Sequence, residues 1–323
     1  MPYWETYRLA ADPTSRERRD HGISREDLPS EFDLDYYEEE VRPELLDLQS
    51  RGFNIGIKGF TAEGMWLRAG KPTFFLESAQ LAEALMKASY SLDFDNLRVP
   101  NGIFSLSFPS DVKVGKDYPH PCLIAQTPER DALLIVTRCG YFQHHILQIF
   151  NQKDLDAFLK EKDAMCVGYL DKDGIEQWKD SDECTPEEVR ELSGLSVEEM
   201  QKRSKTQQFA SKVCVGVCAY LAAFPECLEE GYPSIIAPRN LKQIKQLQKG
   251  VKPSRIVLHK RLRESPSAHY RTWYFKTLRD PCFRRNPDGT FRTIFVKETF
   301  VSGRAKKEKI DPHTVVEKKR KAS

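Results

Sequence analysis

The sequence contains no run of apolar residues long enough to span a bilayer, which takes roughly 18 residues. Its most apolar stretch, residues 213–224, is stopped by Pro225 and predicts a buried helix rather than a membrane anchor. The first five residues are followed by a charged cluster at 16–20, where a secretory signal would have an apolar segment. We therefore expect a soluble intracellular protein that does not enter membranes.

The eight cysteines form no Cys-x-x-Cys pair and are scattered over a long chain. Disulfide-rich secreted domains and zinc sites with paired ligands use closer spacings. Cys214 and Cys218 would share one face of a helix, but so apolar a segment favours buried thiols over metal ligands. We therefore expect a reducing compartment, most simply a cytoplasm, and no metal site.

Familiar catalytic signatures are missing as well. The chain has no Gly-x-Ser-x-Gly, no phosphate-binding Gly-x-x-x-x-Gly-Lys-Ser/Thr, no His-Glu-x-x-His and no Gly-x-Gly-x-x-Gly. We accordingly expect no cofactor and name no catalytic residue. A metal-dependent nuclease built from carboxylates stays open as an alternative, because Asp and Glu are too numerous for the sequence to single out a cluster.

What the chain does have is an uneven distribution of charge. Residues 239–323 hold 24 of the 50 Lys and Arg but 7 of the 48 Asp and Glu, a net charge of +17. Residues 1–238 carry a net charge of −15, although the whole chain is at +2. Opposite charges in two parts of one chain indicate separate tasks, and the basic part favours an acidic partner.

Composition and periodicity together predict an α+β fold, with helices packed on a central antiparallel sheet and a C-terminal basic β-hairpin module. Four segments are expected along the chain. They are a flexible N-terminal arm at 1–34, an acidic α+β core domain at 35–238, a basic aromatic hairpin module at 239–303 and a disordered basic tail at 304–323.

Individual elements follow from the spacing of apolar residues. Steps of three and four residues predict helices at 36–49, 78–88, 241–248 and 196–224. Polar residues at 206–211 predict an interruption in the last of these helices. Short apolar runs predict a meander of strands at 103–108, 122–125, 132–136 and 145–150. The basic end adds strands at 255–259, 269–275 and 291–296, with a turn at Asn286-Pro287-Asp288-Gly289.

The strongest candidate site is the C-terminal hairpin, where basic and aromatic residues alternate. Cations neutralise phosphates and flat rings stack on unpaired bases, so this combination suits single-stranded RNA. Alternation along a strand would place Tyr274 and Lys276 on one face, and Trp273 and Phe275 on the other. The residues expected to contact nucleic acid or another partner are Arg261, Arg263, His269, Tyr270, Arg271, Trp273, Tyr274, Lys276, Arg279, Arg284, Arg285 and Arg292.

Two other interpretations of this pattern remain open. Strands routinely bury one aromatic face, so the rings could belong to the core and the basic residues to a solvated rim. The same positive surface could also bind an acidic protein instead of RNA.

Several pieces of the C-terminal third follow one another in a particular order. They are an apolar helix ending at a proline (215–225), Gly231-Tyr232-Pro233, a basic linker (255–263), His269-Tyr270-Arg271 and a closing segment (292–303). In this order they resemble the phage-encoded type V-A anti-CRISPR family, which blocks biogenesis of the type V effector nuclease. The resemblance covers residues 205–305, with a vaguer match at 121–151.

The resemblance implies a non-enzymatic protein that acts during translation in the cytoplasm of a bacterial host. It implies recognition of the nascent N-terminal peptide of a target and loss of the corresponding message. The implied partners are RNA or a ribosome or polysome, and a nascent host polypeptide. The chain departs from the family's pattern at Trp273-Tyr274 and in its basic tail, which leaves the target open. A general single-stranded nucleic-acid-binding phage protein is the alternative function.

Overall fold

The computed structural model describes residues 2–9, 38–39, 42–50, 57–127, 130–140, 143–160, 166–170, 176–180, 197–247, 250–259, 273–280 and 282–297. The helices are α1 (Arg42–Ser50), α2 (Ile57–Arg68), α3 (Ala79–Lys87), α4 (Gln152–Lys160), α5 (Val197–Ala223) and α6 (Pro238–Leu247). The strands are β1 (Pro72–Leu76), β2 (Ser89–Ser91), β3 (Ile103–Ser107), β4 (Cys122–Gln126), β5 (Leu133–Gly140), β6 (Gln143–Ile149), β7 (Cys166–Leu170), β8 (Glu176–Asp180), β9 (Leu228–Glu230), β10 (Lys252–Ile256), β11 (Trp273–Thr277) and β12 (Thr293–Lys297).

Seven strands form the main sheet, in the order β6-β5-β4-β3-β1-β10-β9. The pairs from β3 to β6 are antiparallel, as the sequence predicts. The prediction of an antiparallel sheet is wrong at the centre, where β1 runs parallel to both β3 and β10. Parallel neighbours need a crossover instead of a tight turn, and here α3 follows β1 while α6 precedes β10. The fold is α+β with a mixed sheet.

Both faces of the main sheet are covered, and for this reason β1 and β3 are buried at every position. On one face, α3, α4 and α5 form a single hydrophobic core with the sheet, in which the Phe74 and Phe104 rings stack at a centroid distance of 4.4 Å. On the other face, α2 and α6 pack through Trp66 and Ile244. Successive residues of a strand point to opposite faces, so each central strand serves both cores.

Helices α3, α5 and α6 overlap their predicted positions, whereas α2 lies outside every predicted helix. Ser78 is the N-cap of α3, and its hydroxyl accepts a hydrogen bond from the Leu81 amide at 3.3 Å. Helix α5 runs without a break through residues 206–211, where the polar residues predict an interruption. Two of those residues, Thr206 and Ser211, are buried. Packing of the neighbouring Phe209 and Val213 against the core keeps the helix continuous.

The predicted C-terminal hairpin is present as the antiparallel pair β11 and β12. Strand β2 pairs in parallel with β11, which completes a small sheet of order β12-β11-β2. This sheet packs on α5, where the Phe275 ring meets Tyr220 at 6.4 Å and the Phe295 ring meets Phe224 at 5.5 Å. Phe275 belongs to the same core as the main sheet, so the hairpin is built onto that core.

Strand β10 overlaps the predicted strand at 255–259, which the sequence groups with the hairpin. It lies instead inside the main sheet, between β1 and β9. A further hairpin, β7 and β8, lies outside all the strands that the sequence predicts.

Residues 2–9 of the N-terminal arm lie against the main sheet, with Trp4 and Tyr7 buried. The rest of the arm, and the tail at 304–323, are outside the described residues.

The cysteines of α5 are buried free thiols, as the sequence predicts. The Sγ atom of Cys214 lies 3.1 Å from that of Cys122 on β4. Burial raises the pKa of Cys214 and of Cys218, so both stay protonated at neutral pH. None of the helices in the described ranges combines the length and the apolar character that a membrane-spanning segment needs.

Candidate nucleic-acid interface

The pairing of β11 with β12 decides which side chains of the hairpin face α5 and which face away. Phe275 pairs with Phe295, and both rings belong to or pack on the buried core. Tyr274 pairs with Val296 and Lys276 with Ile294, so these four residues lie on the opposite face. Tyr274 is half-buried and Lys276 is exposed. The predicted alternation of Tyr274 and Lys276 against Phe275 is confirmed, while the side chain of Trp273 lies outside the described residues.

Arg292 extends this second face by one position. The Leu278 amide donates a hydrogen bond to the Arg292 carbonyl at 2.9 Å, so the two chains stay side by side beyond the last strand pair. Because Thr293 lies on the α5 side of β12, its predecessor Arg292 lies on the other side. Arg292 is exposed. We call the face formed by Tyr274, Lys276, Arg292, Ile294 and Val296 the outer face.

The loop that joins β11 to β12 supplies further positive charge. Arg284 and Arg285 are exposed, and Phe283 keeps 45% of its surface exposed. The Arg285 guanidinium lies over the Phe291 ring, 4.5 Å from its centroid, and Nη1 donates to the Gly289 carbonyl at 3.3 Å. This places one guanidinium over an aromatic ring of the loop.

The predicted turn at 286–289 shapes the tip of the loop. The Gly289 amide donates to the Asn286 carbonyl at 3.0 Å, and the Asn286 amide donates to the Thr290 carbonyl at 2.9 Å. Gly289 has φ +80°, a conformation that costs glycine little and other residues more. The sequence therefore identified this turn correctly from its Asn-Pro-Asp-Gly composition.

Two carboxylates of the same loop are held by hydrogen bonds inside it. Thr290 donates to Asp288 from its hydroxyl at 2.7 Å and from its amide at 3.0 Å, which lowers the pKa of Asp288. The Cys282 amide donates to Asp280 at 2.9 Å and lowers the pKa of that carboxyl. Both stay ionised at neutral pH and offset part of the loop's positive charge. Residues 273–297 still carry six Lys and Arg against these two Asp.

The Arg279 guanidinium binds residues that lie outside the hairpin. Nε lies 2.7 Å from Asp93 Oδ2, and Nη2 donates to the Leu92 carbonyl at 3.1 Å and to Gln152 Oε1 at 3.2 Å. The Phe291 amide donates to Asn96 Oδ1 at 3.0 Å nearby. These bonds attach the loop to residues 92–96 and to the start of α4, so Arg279 holds the loop in place.

The remaining predicted contacts lie outside the described residues: Arg261, Arg263, His269, Tyr270 and Arg271.

One basic residue near the loop was missed by sequence reasoning. Arg98 donates from Nη1 to the Asp95 carbonyl at 2.6 Å and to the Leu97 carbonyl at 2.9 Å. Burial lowers the pKa of its guanidinium, and the positive charge of Arg130 lowers it further, while Asp288 opposes both. Arg98 therefore lies beside the loop. Nothing in the sequence signalled this, since Arg98, Arg130 and the loop are far apart in the chain.

Where side chains are described, no group of three or more His, Cys, Asp and Glu is close enough together to hold a metal ion. Comparison with known proteins adds no relative: no family model matches the chain, and neither any curated protein nor any solved structure does so. The function must therefore be argued from the geometry of the outer face and its loop.

Proposed function

We propose that the protein is a phage or mobile-element regulator that binds RNA through the outer face and its loop. In this proposal it acts at the ribosome in the bacterial cytoplasm, where it suppresses production of a host target protein. The resemblance to the type V-A anti-CRISPR family supplies the biological setting. The same resemblance adds recognition of a nascent peptide to the proposed activity.

The observation that carries the proposal is the division of β11 into two faces. Phe275 is buried against α5, whereas Tyr274 and Lys276 point away from it together with Arg292. A half-buried ring beside exposed cations offers stacking and phosphate contacts on one surface, which is what single-stranded RNA requires. Arg284, Arg285 and Phe283 extend the same chemistry into the loop.

A triple substitution tests this surface. We expect Lys276→Ala, Arg284→Ala and Arg292→Ala together to weaken binding to single-stranded RNA. The slope of log affinity against log salt should fall by about 2 units, because each phosphate that is no longer neutralised reduces it by about 0.7. Co-sedimentation with polysomes from an expressing host should fall in parallel.

The matched control removes the same charge elsewhere. Lys116, Lys153 and Lys160 are exposed and lie outside the hairpin, so their joint substitution by Ala should leave the salt slope nearly unchanged. Equal reductions in the two triple variants would show that net charge alone matters, and would remove the outer face from the proposal.

The number of messages that the protein affects distinguishes the proposed regulator from a general single-stranded nucleic-acid-binding protein. A regulator of one target lowers the message and protein of that target, measured by RNA sequencing and proteomics in an expressing host. A general binder associates with most messages in proportion to their abundance. Uniform crosslinking across messages would favour the alternative function.

A further inference from the structure

Residues 2–9 are held in the structure much as a bound peptide is held by a receptor. The Asn240 side chain of α6 makes two hydrogen bonds to the backbone of Trp4: it accepts from the Trp4 amide at 2.9 Å and donates to the Trp4 carbonyl at 3.2 Å. Ser110 makes a similar pair with Tyr3, accepting from its amide at 3.1 Å and donating its own amide to the Tyr3 carbonyl at 2.9 Å. Contacts of this kind recognise an extended backbone rather than particular side chains.

Two aromatic side chains of the segment fill separate buried pockets. Trp4 is 1% exposed, packs with Phe75 and Ile244, and donates its indole N–H to the Leu76 carbonyl at 2.9 Å. The pocket therefore gives the indole N–H a hydrogen-bond acceptor and the ring apolar contacts.

The second pocket holds Tyr7, which is 2% exposed. Its ring meets Trp66 edge-on at 5.8 Å, and its hydroxyl donates to Glu63 Oε1 at 2.8 Å. Glu63 is fully buried, so an occupant without a hydroxyl would forfeit a hydrogen bond to a buried carboxylate. Between and beside the two rings, Tyr3, Glu5 and Arg8 point outward and are exposed.

These contacts define a groove, lined by Glu63, Trp66, Phe75, Ser110, Asn240 and Ile244. It begins at the carboxyl ends of β1 and β3, an edge at which sheets containing parallel strands commonly bind ligands. Residues 2–9 belong to none of the strands of the sheet and share one isolated bridge with it, between Trp4 and Pro109. The segment can therefore leave the groove without breaking a strand pair.

We propose that this groove is a peptide-binding site that residues 2–9 occupy in cis. Its ligand in trans is an extended segment of another protein that carries two aromatic residues three positions apart, the second with a hydroxyl group. The chain's own segment then acts as an autoinhibitory occupant that a stronger ligand displaces. The inference deepens the peptide-recognition part of the proposed function, and rests on it for its biological meaning.

The test uses a fluorescent peptide with the sequence Pro-Tyr-Trp-Glu-Thr-Tyr-Arg-Leu and the full-length protein. A tethered occupant has an effective concentration in the millimolar range, so the wild type should bind the probe weakly. The double variant Trp4→Ala and Tyr7→Ala should bind it at least about tenfold more tightly by fluorescence anisotropy, because its own segment no longer competes. Adding Asn240→Asp should reverse that increase, since a carboxylate cannot donate to the peptide carbonyl.

A probe in which the Trp and the second Tyr are Ala serves as the control ligand. If the double variant is folded by circular dichroism and binds both probes alike, residues 2–9 are a structural strap and the proposal is wrong.

A second measurement covers the case in which the double variant does not fold. Wild-type protein labelled with 5-fluorotryptophan gives a fluorine resonance for Trp4, assigned from a Trp4→Phe variant. Excess peptide should move that resonance to its solvent-exposed position, and an unmoved resonance at millimolar peptide would also overturn the proposal. Neither assay contains RNA, so a failed RNA interface and a failed groove are told apart.

Discussion

The main sheet and the small sheet bury their strands in different ways. In the main sheet, β1 and β3 are buried at every position, because helices cover both faces. In the small sheet, β11 alternates between the buried Phe275 and the exposed Lys276, because α5 covers one face. The main sheet therefore has no solvated strand face at its centre. The small sheet has one, which is available to contact a partner.

The two sheets also differ in charge. The central strands β1 and β3 contain no charged residue, whereas Lys276 of β11 and Arg292, just before β12, lie on the side away from α5. A cation cannot be buried cheaply between two layers, but it costs little on a solvated face. The comparison therefore predicts opposite results for substitutions on the two faces of one strand.

The largest expected effect is from Phe275→Ala on the inner face of β11. It removes a fully buried ring that contacts Tyr90, Tyr220 and Phe295, and should lower the free energy of unfolding by about 3–5 kcal/mol. Tyr274→Ala, its neighbour on the outer face, should cost about 1 kcal/mol. Urea denaturation measures both, and equal destabilisation would contradict the division of the strand into two faces.

A smaller effect is expected where α5 meets both α3 and the small sheet. A Cβ added at Gly216 would lie against the Tyr90 hydroxyl and 3.3 Å from Leu85 Cβ. Gly216→Ala should therefore destabilise by about 1–3 kcal/mol, despite the better helix propensity of alanine. In a Tyr90→Phe background, which lacks that hydroxyl, the same substitution should cost less. A double-mutant cycle by thermal unfolding gives this difference, and strictly additive effects would exclude the clash.

The smallest effect distinguishes two basic residues of the hairpin. Arg279→Ala removes a half-exposed ion pair with Asp93 and two further hydrogen bonds, and should cost about 1 kcal/mol of stability. Lys276→Ala should change stability by less than about 0.5 kcal/mol and act on RNA affinity instead. Chemical denaturation and RNA titration of both variants check that Arg279 acts on stability and Lys276 on RNA affinity. A destabilised Lys276→Ala variant would contradict this assignment.

The elements that the sequence predicted best are those fixed by local chemistry. The helix predicted at 78–88 from its apolar spacing is present as α3, and residues 286–289 form the turn that their composition predicts. Which strands pair with each other was harder to predict. The apolar pattern identifies β10 as a strand, but it contains no information on whether that strand pairs with β1 or with β11. Parallel pairing joins residues far apart in the chain, and local periodicity cannot reveal it.

For the candidate interface, the sequence predicted that basic and aromatic residues would lie together, and which of them would share one face of a strand. Tyr274 and Lys276 against Phe275 followed from the period of a strand. The contacts of Arg279 with Asp93 and Gln152 did not follow from it, because these two residues are far from Arg279 in the chain. The burial of Trp4 was missed for a related reason: two aromatic residues among polar neighbours have no periodic pattern, and their pockets are made by α2, β1 and α6.

The position of β10 also bears on how the protein is made. Both β1 and β9 pair with β10, whose residues come late in the chain. Until residue 256 has left the ribosome, β1 has one unpaired edge and the main sheet cannot close. An open edge on an apolar strand is a site for aggregation, and long-range pairing forms slowly. The nascent chain therefore passes through a stage in which one edge of β1 is unpaired.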